Sequence, residues 1–250
     1  MGFSWDRKLA GRAAAIAAVA GLVALLVIVS TDDGGPWARR ASMWAAVAPV
    51  LGALGTFATV RIAIARGEIG ALAALGVDPA RAVRGAAIGG AIAGLAGVLV
   101  TASGRADLEA LFPRPPEARA WTAEGERGLF EATLGIRVDA GGDVTFAGEP
   151  EASIKTVTSG AAKEATIATI GLAALVCPMW VVEGLSARNP PARGRRVFRR
   201  GMVALVAAAM LIAAFQVVAA ARASPIWLLA SPLLLLADTV FMRYRATRAA

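Results

Sequence analysis

Six long apolar runs, nearly free of charge, dominate the sequence. A helix needs about 20 apolar residues to cross a hydrocarbon core roughly 30 Å thick. The six runs are Ala13–Ser30, Met43–Ile64, Ala86–Ser103, Ala165–Leu185, Met202–Ala221 and Ile226–Met242. They outweigh the expectation of one or two soluble domains that a length of 250 residues would otherwise suggest. The sequence therefore predicts an all-α polytopic membrane protein with six transmembrane helices.

A polar stretch separates the first three runs from the last three. It predicts three parts: spans at 1–103, a small extracytoplasmic domain at 104–164, and spans at 165–250. Residues 135–157 alternate apolar and polar side chains around Gly141-Gly142, which predicts a β-hairpin and a further strand. Because so few strands bury little surface, we expect this domain to pack on the spans or on a second subunit.

The charged residues that give the net charge of +8 are distributed unevenly between the two sides that alternate along the spans. With a cytoplasmic N-terminus, the inner side holds sixteen basic and five acidic residues, and the outer side holds ten and thirteen. Such an excess of Lys and Arg is typical of the cytoplasmic side. We therefore expect both termini in the cytoplasm. Basic clusters beside spans attract anionic lipid headgroups, so we expect contacts with membrane lipids and none with nucleic acid.

Several kinds of catalytic site are excluded by composition. The chain has no histidine and one cysteine, Cys177, so a Cys/His metal site and Ser-His or Cys-His nucleophilic pairs are excluded. Lys8, Lys155 and Lys163 are its only lysines, and none follows the glycine pattern of a phosphate-binding loop. We expect no catalytic site, metal or cofactor in this chain, and hence no enzyme activity of its own.

Acids are scarce within the apolar runs. Glu183 and Asp238 lie near the inner ends of the fourth and sixth runs, and we expect Asp238 to pair with Arg243 or Arg245. A carrier coupled to protons or sodium would place acids near the middle of the membrane. This pattern therefore disfavours a secondary transporter.

The inner segment between the second and third runs is neither a span nor a typical loop. It reads "RGEIGALAALGVDPARAVRG", and it predicts a helix over about 67–76. Glu68 lies in the first turn, where the helix dipole favours an acid, and Gly76 provides a left-handed stop. Three apolar side chains fall near one face: Ile69, Leu72 and Leu75. Asp78-Pro79 then begins a second helix as N-cap and first helical residue.

Two consecutive G-x-x-x-G spacings lie at the start of the third span. They are Gly85/Gly89 and Gly90/Gly94. Such spacings give a helix a flat face on which another helix can pack closely. The spacing does not identify the helix that packs there.

The inner segment, R-x-x-x-x-R-G-E-I-x-A-L-x-A-L-G-V from Arg61 to Val77, resembles that of the LptF/LptG permeases of lipopolysaccharide-export ABC transporters. The layout of three spans, an outer domain and three spans is also similar. This resemblance implies a permease subunit in the bacterial inner membrane that extracts or exports a lipid or lipid-like substrate. It implies as partners a cytoplasmic ABC ATPase dimer, which binds ATP and Mg, and a second copy of the permease or a paralogue.

The same resemblance implies roles for the inner residues. The segment would be a coupling helix that docks in a groove of the ATPase. Glu68 would pair with a basic residue there, Ile69, Leu72 and Leu75 would fill the groove, and Gly76 would end the helix. The outer domain of that family is a β-jellyroll more than twice as large, so a different substrate or a shorter handover is expected here.

Two alternatives compete with this hypothesis. The sequence from Glu68 to Val83 also resembles the MlaE-type permeases of phospholipid-trafficking ABC transporters, chiefly through Val77-Asp78-Pro79. Those chains have five spans behind an amphipathic N-terminal helix and lack a sizeable outer insertion. From another class, the chain could be a non-transport membrane scaffold or assembly protein whose inner basic loops hold a cytoplasmic partner. By its geometry alone, the short helix could also be an interfacial helix that lies on the inner leaflet.

Overall fold

The structure, a computed structural model, is a bundle of long helices with a small sheet. It describes residues 2–31, 35–112, 121–123, 128–131, 136–139, 141–146, 160–185, 190–220 and 222–248. Six helices are long and apolar enough to cross a membrane. The predicted all-α fold with six spans and a small partly β region after the third span is confirmed, and the chain is a multi-pass membrane protein.

The described residues form eight α-helices, two short 3-10 helices and four strands. The helices are α1 (Gly2–Thr31), α2 (Trp37–Ala65), α3 (Glu68–Ala74), α4 (Pro79–Ala82), α5 (Arg84–Ala102), α6 (Gly160–Leu185), α7 (Pro190–Ala219) and α8 (Ala230–Arg248). Leu108–Leu111 and Pro225–Leu229 are short 3-10 helices. The strands are β1 (Trp121–Ala123), β2 (Leu129–Glu131), β3 (Ile136–Val138) and β4 (Val144–Phe146). All helices except α3 and α4 contain a spanning segment.

The chain forms two compact units. The helical unit comprises Met1–Phe112 and Gly160–Ala250, and the sheet unit comprises Pro113–Ser159. The helical unit thus continues past residue 103, where the sequence predicts the boundary. The reason is Phe112, which packs on Ala162 and Leu228 and whose ring centroid lies 5.1 Å from that of Phe215.

Within the helical unit, α2, α5 and α6 are the most buried spans. α1 packs on α2 and α5, whereas α7 and α8 pack on α6. Glycines allow the backbones of α2 and α5 to touch, since a Cβ atom on Gly52 would fall against the carbonyl oxygen of Gly90. The Thr56 hydroxyl of α2 donates to the Ala86 carbonyl of α5 at 3.1 Å, which satisfies a buried polar group at this contact.

α7 begins well before the apolar run that predicts it. The run starts at Met202, but the helix starts at Pro190 and includes the arginine-rich stretch before the span. Proline is favoured in the first turn of a helix because the amide hydrogens there have no partner within the helix. The basic connection between the fourth and fifth spans is therefore largely helical.

The sheet is an antiparallel meander in the order β1-β2-β3-β4. β3 and β4 form the predicted hairpin, with Ile136 opposite Phe146 and Val138 opposite Val144. Gly142 in its turn has φ +86°, which glycine adopts without steric cost. β1 and β2 are additional to the predicted strands, and the further strand predicted within 147–157 lies outside the described residues.

Candidate functional site

Four spans meet at one end of the helical unit, which we call the α3 end. Here α1 begins, α2 ends, α5 begins and α6 ends, and one buried apolar cluster joins them. Its members include Leu9 of α1, Val60 of α2, Ala86 of α5 and Val182 of α6. α3 and α4 lie at this end because they connect α2 to α5.

Two glycines in the left-handed region bracket α3. Gly67 has φ +71° and Gly76 has φ +81°, and a Cβ atom at either position would meet nothing within 4 Å. The reason for glycine is therefore the backbone conformation, which costs other residues about 1 kcal/mol or more. α3 has only seven residues, fewer than a helix needs to be stable by itself in water. Its helical form depends on its contacts with the bundle.

α3 contacts the bundle through its first turn. Ile69 packs on the cluster that contains Leu9 and Val60. Glu68 forms an ion pair with Arg12 of α1, with 3.9 Å between Oε2 and Nη1, and both side chains are about three-quarters buried. These contacts face the membrane bundle of the same chain.

The rest of α3 is open. No residue in it is fully buried, and four of its seven residues and the leucine that follows them are exposed. The exposed residues are Gly70, Ala71, Ala73, Ala74 and Leu75. Leu75 is 80 % exposed and follows the last helical residue, Ala74. An exposed leucine thus follows α3, next to the small exposed side chains of the helix.

The predicted docking residues therefore do not share one surface. Glu68 and Ile69 face the bundle, Leu72 is half-buried, and Leu75 is exposed. Gly76 is the predicted left-handed residue after the helix. The roles of these five residues in docking remain predictions.

α4 connects α3 to α5 and is held by α1. Asp78 has an extended backbone before α4, and Pro79 is its first residue. The Trp5 indole nitrogen of α1 donates to the Ala82 carbonyl at 2.8 Å. This bond satisfies a carbonyl at the end of α4, where the helix leaves it without a partner.

The two G-x-x-x-G spacings of α5 face different helices. A Cβ atom on Gly85 would fall against the backbone of Asp6, and one on Gly89 against the backbone of Ala10, so this pair contacts α1. Gly90 faces α2, and Gly94 lies 3.0 Å, measured from an ideal Cβ position, from Ala174 of α6. α5 consequently contacts three neighbours through glycines.

A buried charged cluster lies where α6, α7 and α8 meet, and its pairing is not predicted by the local sequence pattern. Arg200 of α7 is almost fully buried, stacks on Trp180 of α6 with 5.2 Å to the ring centroid, and donates to the Trp180 carbonyl. Asp238 of α8 accepts from Trp180 Nε1 at 3.0 Å and from Arg199 Nη2 at 2.7 Å. Asp238 also lies 3.8 Å from Arg200 Nε. Gly184 makes room, since the Arg200 side chain lies 3.1 Å from its ideal Cβ position.

The expected pairing of Asp238 with Arg243 or Arg245 is wrong. Asp238 pairs with arginines of α7, and Arg243 Nε instead lies 2.7 Å from Glu183 Oε1 of α6. Helix rotation explains the difference, because it turns Asp238 toward α6 and α7. The only sequence signal for this cluster is that its charges all fall at or beside the ends of neighbouring apolar runs.

The described residues hold no group of three or more His, Cys, Asp or Glu side chains that could bind a metal ion. At the α3 end, four of the seven residues of α3 are exposed, and Glu68 in its first turn pairs with Arg12. No protein-family model, curated protein or solved structure matches the chain, so the geometry of this end is what bears on its function.

Proposed function

We propose that this protein is the membrane-spanning permease subunit of an ABC transporter and that α3 is the docking segment for its ATPase. The observation that carries this proposal is α3 itself: a seven-residue helix between two spans, bracketed by left-handed glycines, with Leu75 uncovered. A protein interface is typically centred on an apolar anchor that enters a pocket of the partner. Leu75 and the small residues before it supply such an anchor.

Force applied to α3 would reach several spans. Ile69 packs on the apolar cluster to which α1, α2, α5 and α6 contribute. Gly85 and Gly89 bring the start of α5 into backbone contact with α1. Movement of α3 by an ATPase would therefore displace α1 and α5 together, because closely packed helices shift as units.

A lipid or lipid-like molecule is the substrate class that fits this proposal. The outward surfaces of α1 and α7 are aliphatic, with exposed residues such as Leu22, Leu26 and Ile212. We propose that two copies of the chain, or this chain and a paralogue, enclose the substrate between such surfaces in a bacterial inner membrane. Both termini would lie in the cytoplasm, and the ATPase dimer would bind ATP and Mg, so this chain would contribute no catalytic residue.

Changing Leu75 to aspartate is expected to reduce ATPase retention at least tenfold. A carboxylate in an apolar pocket costs about 2 kcal/mol or more, which corresponds to a factor above ten in affinity. The measurement is co-purification of the tagged chain from native membranes, followed by ATP turnover and mass spectrometry for ABC signature sequences. A partner without ATPase activity would favour the scaffold hypothesis instead.

Phe146→Asp is the matched control for this change. Phe146 lies in the sheet unit and is 82 % exposed, nearly the same as Leu75. We expect Phe146→Asp to retain the ATPase at the wild-type level. Equal retention in both variants would show that Leu75 is not part of the docking surface.

A further inference from the structure

We propose that Arg12 of α1 is the resting partner of Glu68 and releases it to a basic residue of the ATPase when α3 docks. The inference rests on the proposed function and concerns regulation of the same segment. It makes Arg12 a positioning residue that weakens docking at rest, although Arg12 itself would not contact the ATPase.

The Arg12–Glu68 ion pair is long, and its two charged atoms are buried. At 3.9 Å, its two atoms are beyond hydrogen-bonding distance. Arg12 Nη1 and Glu68 Oε2 are nevertheless both buried, and neither has a hydrogen-bond partner among the described residues. Buried charged atoms without hydrogen bonds are unfavourable, so a partner that offered Glu68 a closer contact would compete effectively.

The backbone around Glu68 can permit such a change. Gly67 immediately precedes it and Gly76 follows α3, and both have open space at the Cβ position. α3 buries no residue completely, so few contacts oppose its movement. Besides the ion pair, the main restraint is the packing of Ile69 on the apolar cluster.

The transfer of Glu68 from Arg12 to a basic residue of the ATPase, which we call the exchange, would connect docking to the first span. Arg12 lies one helical turn beyond Leu9, which packs in the cluster at the α3 end, and Trp5 holds α4 through the Ala82 carbonyl. Loss of the ion pair would remove the charged contact between α1 and α3 and leave the Trp5 contact with α4 intact. α1 could then shift relative to α3 while staying attached to α4 and α5.

Thermal unfolding of the purified chain without any ATPase tests the resting pair. Arg12→Ala and Glu68→Ala should each lower the Tm by about 2–4 °C, and the double change should cost no more than the larger single one. Arg12→Lys, which keeps the charge, and the swap Arg12→Glu with Glu68→Arg should both recover most of the loss. If the Tm losses of the two single changes add up in the double change, or if the swap recovers none of the loss, Arg12 and Glu68 do not pair at rest.

Affinity for the co-purifying ATPase, measured by titration onto the chain in nanodiscs, tests the exchange. Arg12→Ala should bind the ATPase about two- to fivefold more tightly, since Glu68 no longer has to leave a partner. Glu68→Ala should bind it more weakly, and the swap should fail to dock although it is stable. A residue with only a structural role would not tighten binding when removed.

Arg81→Ala is the matched control, because it removes the same charge from an exposed position at the same end. It should leave affinity within about twofold of wild type, the scale of one screened surface charge. Weaker binding by Arg12→Ala, or equal tightening by Arg81→Ala, would overturn the exchange. If no ATPase accompanies any variant, the proposed function fails, whereas the unfolding measurements still decide whether Arg12 and Glu68 pair.

Discussion

Replacing Gly89 with valine is expected to prevent the protein from folding. An ideal Cβ atom at Gly89 would collide with the Ala10 carbonyl oxygen of α1 and lie 2.7 Å from the Ala10 Cα atom. These are backbone atoms, so no side-chain rotation relieves the collision, and α1 and α5 would have to separate. We expect a loss of about 3 kcal/mol or more, the upper range for overpacked sites. Size-exclusion chromatography of a fluorescent fusion would show little monodisperse protein.

Gly11→Val is the control for this prediction. Gly11 lies in α1, next to Ala10, but a Cβ atom there would meet nothing within 4 Å. Valine is well tolerated in spanning helices, so we expect a normal elution profile and a Tm within a few degrees of wild type. If Gly89→Val were as well folded as Gly11→Val, the close contact between α5 and α1 would be wrong.

Replacing Asp238 with alanine is the second change with a large expected effect. It removes a carboxylate that lies 3.8 Å from Nε of Arg200, whose side chain is 4 % exposed. Removing one partner of a buried ion pair costs about 3–5 kcal/mol, because the remaining charge cannot reach water. We expect the Tm to fall by roughly 10 °C or more. We also expect α7 to detach from α6 and α8 at a lower detergent concentration than in the wild type. Thermal unfolding followed by tryptophan fluorescence measures this loss.

Glu183→Ala is the matched control at the neighbouring ion pair. Its partner Arg243 is 58 % exposed and can be solvated once the carboxylate is removed. Because the arginine that remains is exposed, we expect a loss of about 0–1 kcal/mol, as for surface pairs, and a change of only a few degrees in the Tm. Similar losses for Asp238→Ala and Glu183→Ala would mean that burial of Arg200 does not determine the stability of this cluster.

The spans could be predicted because membrane burial imposes a strong pattern on the sequence. About 20 apolar residues without charge have few alternatives to a spanning helix, and each of the six runs overlaps a helix long and apolar enough to cross a membrane. The start of α7 at Pro190 could not be predicted in this way, since its first turns are basic and hydropathy marks only the apolar part. β1 and β2 have three residues each, too few to show alternation.

The contacts at the α3 end were harder to predict. Gly67 and Gly76 mark the boundaries of α3 in the sequence, and the helix lies between them. The partner of Glu68 is Arg12, which is 56 positions away and on another helix, and no local pattern indicates such a pairing. Similarly, the acid and the arginines of the Asp238 cluster are visible in the sequence, but their pairing depends on the rotation of α7 and α8 about their axes.

Site-specific photocrosslinking from position 75 tests the docking role of α3 most directly. A photoreactive amino acid replaces Leu75 in one sample and Phe146 in another, and native membranes are irradiated. We predict that position 75 is linked to a protein with ABC signature sequences and ATPase activity, and that position 146 is not. Position 75 linked only to lipid, or the ATPase captured equally from both positions, would contradict the docking of an ATPase on α3.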